Sequence, residues 1–434
     1  MTRFHKRNHP LRDALDQELR QRTFPALTAP CRLCQFVLTV SPSSRSEEFQ
    51  VMQALASQQG SPLKETDNDI NLPLFGGTLR WEKHGEFSSY TLIKPGIGKT
   101  WFDDPLDFLP ASNWFDPIPG QVFRVIQLSI VSTDDMASDG DCAALFNPDH
   151  CISSFLADKK ARIWTDFQKH AEGAGRMLMQ DNGLSPAGLG RLVQQLFDLG
   201  NYRKLSLLGW PQVRKAMSQL NELEQQLSYL TQRVEQERGN DESLLDEITS
   251  MAAQTEHLIA ENSSRLQANS AYYQLALDRI KSLNETPIDG MMSLQDFTER
   301  RLTPAVRTSE SVVFRQNALS NRLGRSTELL RTRISLKLEE HNQRLLASMD
   351  KRAQLQLKLQ TMVESLSVVA ISYYALQLSK HGFEALLFWW PELNVGLWQS
   401  LSVPVVITSV ILLLLWFRRR LHINKPAESS DKPL

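Results

Sequence analysis

In WEKHGEF (81–87), Glu82, His84 and Glu86 alternate with other residues, so an unbroken strand would place two carboxylates and an imidazole on one face. Such a set suits a hard or borderline divalent cation, and no other cofactor is implied. A hairpin turn at His84 and Gly85 would instead leave the carboxylates solvated. A second group, Asp166, His170 and Glu172 in WTDFQKHAE (164–172), matters chemically only if the fold brings it to the first. Cys31 and Cys34 form C-x-x-C, but a structural zinc site needs a second pair, and Cys142, His150 and Cys151 have the wrong spacing. Buried free thiols are the expectation. The chain has no phosphate-binding loop, nucleophile elbow or dinucleotide fingerprint, so no catalytic residue is assigned and an enzyme is not expected.

A different chemistry is offered near the C-terminal end. Ser365, Ser372 and Ser379 repeat every seven residues, with Thr361 and Ala375 on the same side, and seven residues is close to two helical turns. The stripe fits close helix packing, or a water-facing wall around a pore in which Glu364 at the entrance favours cations.

Elements that position these groups follow from patterning. Residues 1–183 read as a cytoplasmic α/β domain: CRLCQFVLTV (31–40) as a buried strand, RSEEFQVMQALASQ (45–58) as a helix, 76–96 as a hairpin and QVFRVIQLSIVS (121–132) as an inner strand. A helix is also expected after Pro10. Ser185 followed by Pro186 starts a helical region over 184–292, with breaks near Gly209 and Asn240. Ser293 with Asp296 opens a long stalk helix over 293–361, whose seam of Leu319, Leu323, Leu330, Ile334, Leu338, Leu345 and Met349 recurs at steps of four and seven. The seam faces either the preceding helices or another copy of the chain.

Residues 398–417 carry no charge and are long enough to cross about 30 Å of hydrocarbon. Residues 362–379 are shorter and more polar. With basic residues before the first segment and Arg418, Arg419, Arg420, His422 and Lys425 after the second, the expected topology is a two-helix hairpin with both termini cytoplasmic. Its outer loop spans 380–397, with Phe388, Trp389 and Trp390 at the far interface, and 418–434 form a basic, then disordered tail. No apolar run follows the basic N-terminus, which fits a cytoplasmic start to a multi-pass protein of a bacterial inner membrane. The 434 residues carry a net charge of −1, which argues against nucleic acid as a partner. The bilayer is the partner instead.

HPLR (9–12), WEKHGEFSSY (81–90), WTDFQKHAEG (164–173), GRLVQQL (190–196) and the long run 329–374 resemble the bacterial domain-of-unknown-function family 3422, described as membrane-anchored proteins. That resemblance implies a membrane protein and brings no activity. More loosely, the architecture is similar to the CorA and ZntB class of cation transporters, which implies a pentamer with the first span lining the pore. Their Gly-Met-Asn type signature is missing from this sequence. Three functions follow as expectations: an oligomeric cation transport or channel protein, a membrane-anchored scaffold, and a membrane-tethered metal-dependent enzyme built on Glu82, His84, Asp166 and His170.

Overall fold

The run CRLCQFVLT forms β1 (Cys31–Thr39), buried at every position but Arg32 and Thr39. A strand apolar on both faces needs cover on both, and the computed structural model supplies it. It describes residues 9–12, 15–16, 24–74, 76–98, 100–102, 114–135, 144–236, 240–386 and 395–422. Most of the helix expected after Pro10 therefore lies outside the described residues, as do Cys142, Phe388, Trp389, Trp390 and Lys425.

The remaining strands are β2 (Asp69–Leu74), β3 (Gly77–Lys83), β4 (Phe87–Pro95), β5 (Gln121–Ser132), β6 (Ile152–Leu156), β7 (Ala161–Thr165), β8 (Gly175–Asp181) and β9 (Thr286–Pro287). Among the described residues they make one nine-stranded sheet in the order β2-β3-β4-β1-β5-β8-β7-β6-β9. Its ladders are antiparallel except for β5 with β8. On one face Met52 and Ala56 of α1 (Arg45–Gln58) pack with Cys34, Phe36, Trp81 and Tyr90. Against the other lie Leu192, Leu196 and Phe197 of α2 (Pro186–Leu205), Ala276 and Ile280 of α4 (Asp241–Ser282), and Leu302 and Val306 from the start of α5 (Leu294–Leu386). Cys31 shares this second core, so the two thiols of C-x-x-C point to opposite faces and cannot grip one metal. Burial, with the charge of Asp181 second, pushes the Cys31 thiol up to about 12.

The helix starts are local chemistry. The Ser185 hydroxyl accepts from the Gly188 N–H at 3.2 Å, with Pro186 at the first helical position. The Ser293 hydroxyl accepts from the Asp296 N–H at 2.9 Å. Leu220, Leu223, Leu227 and Leu230 form the buried face of α3 (Trp210–Gln236), which packs on α4. Arg315 of α5 grips Glu224 of α3 at 3.0 and 2.8 Å, and Ser320 donates to Glu256 of α4 at 2.6 Å.

The chain divides into two compact units, Met1–Glu328 and Leu329–Leu434. Helices of the 184–292 region thus belong to the same unit as the sheet whose core they complete. In the expected seam, Leu319, Leu323 and Leu330 are buried, whereas Leu338, Leu345 and Met349 are 63%, 54% and 65% exposed. The two alternatives therefore divide along the helix: the early seam is covered by the chain itself, and the later part is not.

The second unit holds the rest of α5 and α6 (Val395–His422). Among the described residues one helix is long and apolar enough to cross a membrane, over Gly396–Leu413. The expected first span, 362–379, does not reach that standard. It continues α5 without a break, and Glu364 together with its hydroxyls lowers its apolar character.

Candidate functional site

The alternation in WEKHGEF does not survive folding. Lys83 pairs with Ser88 across the β3–β4 ladder, and the His84 N–H donates to the Phe87 carbonyl at 2.9 Å, so the chain turns over residues 84–86. Each expected ligand is committed elsewhere. Glu82, 7% exposed, accepts from Arg80 at 2.6 Å, the His84 ring stacks on Phe87 with centroids 4.2 Å apart, and Glu86 receives both prongs of Arg265 at 3.0 Å each. Glu82 and His84 line a polar cleft of about 320 Å³ with Arg191, Gln194 and Asp198. Its Asp198 is already paired with Arg279 at 3.1 Å.

The second cluster comes together only in part. Asp166 and His170 meet at 3.0 Å, while Glu172 turns to Arg176 at 2.6 and 3.0 Å. Among the described residues, no group of three or more His, Cys, Asp or Glu could hold a metal ion. The expected ligands are therefore not brought together: arginines hold Glu82, Glu86 and Glu172, and His170 holds Asp166.

Asp166 does something else. Its carboxylate, 2% exposed in the folded chain, also accepts the backbone N–H groups of Asn147 and Gln168, each at 3.0 Å. It fastens the loop between β7 and β8, in which Phe167 adopts φ 50° and His170 and Ala174 are joined through the backbone at 2.9 Å. We expect Asp166→Ala to cost about 1–3 kcal/mol, since it strands these buried donors. Hydrogen exchange resolved over residues 166–174 should quicken there first. Unchanged protection would show that the loop is held by other contacts.

This loop walls a cavity of about 290 Å³. Five cations line it: Arg124 from β5, Lys169 from the loop, Arg203 and Lys204 from α2, and Arg301 from α5. None of its lining residues is acidic. Period-two alternation places Arg124 in one row with Ile126, Leu128 and Ile130, facing α2. Its guanidinium, 5% exposed as a residue, donates to Gln35 Oε1 at 3.1 Å and to Asn201 Oδ1 at 2.8 Å. At Gly200 an added methyl would land on that guanidinium, so the glycine makes room for it. The ladder between β1 and β5 shifts register between Val37 and Leu38, and the extra residue opposite, Phe123, is part of the cavity wall. Bulges re-aim side chains in this way beside functional sites.

Arg203 stacks between aromatic faces, 3.9 Å from the Phe167 ring centroid and 4.9 Å from that of Phe297. Desolvation pulls Arg203 down to about 10, and desolvation followed by the charge of Arg203 pulls Arg124 down to about 9. The Lys204 ammonium is lowered too, first by desolvation and then by Arg124, Arg203 and Lys169. Among the described residues none of the five cations makes an ion pair with a carboxylate.

In the second unit, two of the three expected pore hydroxyls bond to their own helix. Ser365 donates to the Met362 carbonyl at 2.7 Å and Ser379 to that of Ala375 at 2.8 Å. Ser372 is 8% exposed, and its Oγ has no hydrogen-bond partner. Glu364 accepts from Gln360 at 3.3 Å.

Compared with known proteins, the chain matches over residues 7–421 the family described as protein of unknown function, DUF3422. It is a DUF3422 protein. No curated protein and no solved structure matches it. The DUF3422 match takes in both units, the basic cavity and both C-terminal helices, so all of these are features of the family region rather than of an appended piece. In this DUF3422 chain the cavity residues escaped sequence reasoning, although one signal was present. In QVFRVIQLSIVS an arginine heads the otherwise apolar row Ile126, Leu128 and Ile130, and has to meet something polar inside.

Proposed function

We propose that this DUF3422 protein is a membrane-anchored, self-associating protein, whose α5 and α6 form a two-helix hairpin with both ends cytoplasmic and hold the α/β unit at an inner-membrane surface. One observation carries the reading: apolar side chains are uncovered all along the second unit. Leu338, Leu345 and Met349 lie on α5 ahead of the expected hairpin. Met362, Val363, Leu366, Val369 and Leu378 follow on its expected first arm, each at least 63% exposed, and Leu401, Val405 and Leu412 on α6 are also exposed. Exposed apolar area on this scale requires lipid or a second chain. The hydroxyls support lipid for the two arms, because Ser365, Ser367, Ser379, Ser400 and Thr408 all bond to carbonyls of their own helix.

Transport by a CorA-like oligomer is the second reading, and it turns on Ser372. A hydroxyl buried without a partner favours helix against helix over a wall of water, which places the anchor reading ahead. With cysteine at Leu345, the purified full-length chain should cross-link between copies under mild oxidation. Cross-linked oligomer that passes no cation in proteoliposomes supports the anchor, whereas flux abolished by Ser372→Leu supports the pore. Absence of any cross-link at Leu345 would remove self-association from the proposal.

A further inference from the structure

The cavity between β5, the β7–β8 loop, α2 and α5 concentrates positive charge that no carboxylate among the described residues neutralises. Burying a guanidinium is costly unless an anion faces it, and Arg124 is met only by the neutral Gln35 and Asn201 side chains and, at 3.5 Å, the Phe197 carbonyl. Several features of the fold hold it there nonetheless: Gly200 leaves space for it, and Asn201 and Gln35 are themselves linked at 3.3 Å. Arg203 is fixed between Phe167 and Phe297 and pairs with no carboxylate among the described residues. Lys169, Lys204 and Arg301 stand exposed at the same cavity. Two guanidinium forks held in place and three exposed cations beside them suit recognition of an oxyanion with more than one negative charge.

We propose that this cavity binds the phosphoryl group of a small phosphate ester. A singly charged carboxylate would leave most of the five charges uncompensated, whereas a phosphoryl group presents several acceptor oxygens to them. The volume lies at the small end of the roughly 300–1,000 Å³ usual for ligand pockets, so the body attached to the phosphate is small, and Phe123, Leu207 and Leu302 offer it an apolar wall. The phosphoryl group can belong to a soluble metabolite or to a lipid headgroup.

The test uses the full-length chain and the acylation rates of Lys169 and Lys204, read site by site by mass spectrometry. Inorganic pyrophosphate added to detergent-solubilised protein is expected to protect both lysines, and protection should weaken as salt rises. Gly200→Ala, which displaces the Arg124 guanidinium while keeping its charge, and Arg203→Gln should each raise the pyrophosphate concentration for half-protection by roughly tenfold to a hundredfold. Reconstitution separates the sources. Protection in phosphatidic acid vesicles, whose headgroup is a phosphomonoester, but not in phosphatidylcholine vesicles identifies a headgroup, and protection by pyrophosphate alone identifies a soluble ligand. If neither pyrophosphate nor phosphatidic acid protects, or if protection in both variants is the same as in the wild type, the proposal is overturned.

Discussion

Replacing Glu48 with alanine should lower the unfolding free energy of the α/β unit by about 3–5 kcal/mol, the range for breaking a buried charge network from one side. Glu48 sits on α1 with 1% of its surface exposed. Its Oε1 accepts the indole N–H of Trp81 at 3.1 Å and the Tyr90 hydroxyl at 2.6 Å, and its Oε2 faces Arg45 at 2.9 Å. Arg45 in turn donates to Ser88 Oγ at 2.7 Å and to the His84 carbonyl at 2.8 Å. One carboxylate therefore ties the helix to β3, to β4 and, through Arg45, to the turn between them. Burial, and next the charge of Glu48, drive the Tyr90 phenol far above its ordinary range, so it remains a neutral donor. Alanine leaves the Trp81 and Tyr90 donors buried and unmet and Arg45 without its counter-charge. Glu48→Gln should cost less, because an amide oxygen still accepts from Trp81 or Tyr90. Urea unfolding followed by tryptophan fluorescence reads the difference. A loss for alanine below about 1 kcal/mol, the level of a surface pair, would mean that the helix is held by its apolar face alone.

The second large effect is expected in the membrane. Val405 and Leu412 are 58% and 66% exposed on α6, inside the apolar stretch Gly396–Leu413. An arginine at the centre of a spanning helix opposes insertion by about 2.5–3.5 kcal/mol, so Val405→Arg with Leu412→Arg should shift insertion by several orders of magnitude. Membrane pellets washed with alkaline carbonate should retain the wild type and lose the double variant. Retention of both would show that α6 is not the anchor. Glu48→Ala should stay in the pellet, which separates loss of anchoring from loss of folding.

Much of the scaffold was legible because it is written in short-range chemistry. The helix at 45–58 and the strand at 121–132 appear at the expected bounds, and the starts at Ser185 and Ser293 use the expected capping side chains. The edge and hairpin strands β2, β6, β7, β8 and β9 were harder, since short strands of mixed polarity take their identity from the neighbours they pair with. The shared face expected for the WEKHGEF carboxylates is absent for a similar reason. Spacing along the chain put Glu82, His84 and Glu86 on one face, but Arg80 and Arg265, the latter far away in sequence, decided where the carboxylates went. WTDFQKHAEG was read for metal ligands; in the fold Asp166 and His170 shape a loop, and Phe167, Gln168 and Lys169 between them line the cavity. Long-range convergence of Arg124, Lys169, Arg203 and Arg301 leaves no local spacing to read.

The two ends of the sheet bear on how copies of this protein can meet. Among the described residues β2 is bonded only through β3 and includes Pro73, while β9 is two residues long, is bonded only through β6 and ends in Pro287. A proline has no N–H to offer an incoming strand, and a two-residue rung gives it almost nothing to zip along. Neither border invites a neighbour's backbone, so sheet-to-sheet polymerisation is blocked at its first step. Whatever surface a second molecule meets, these two borders give it little backbone to bond.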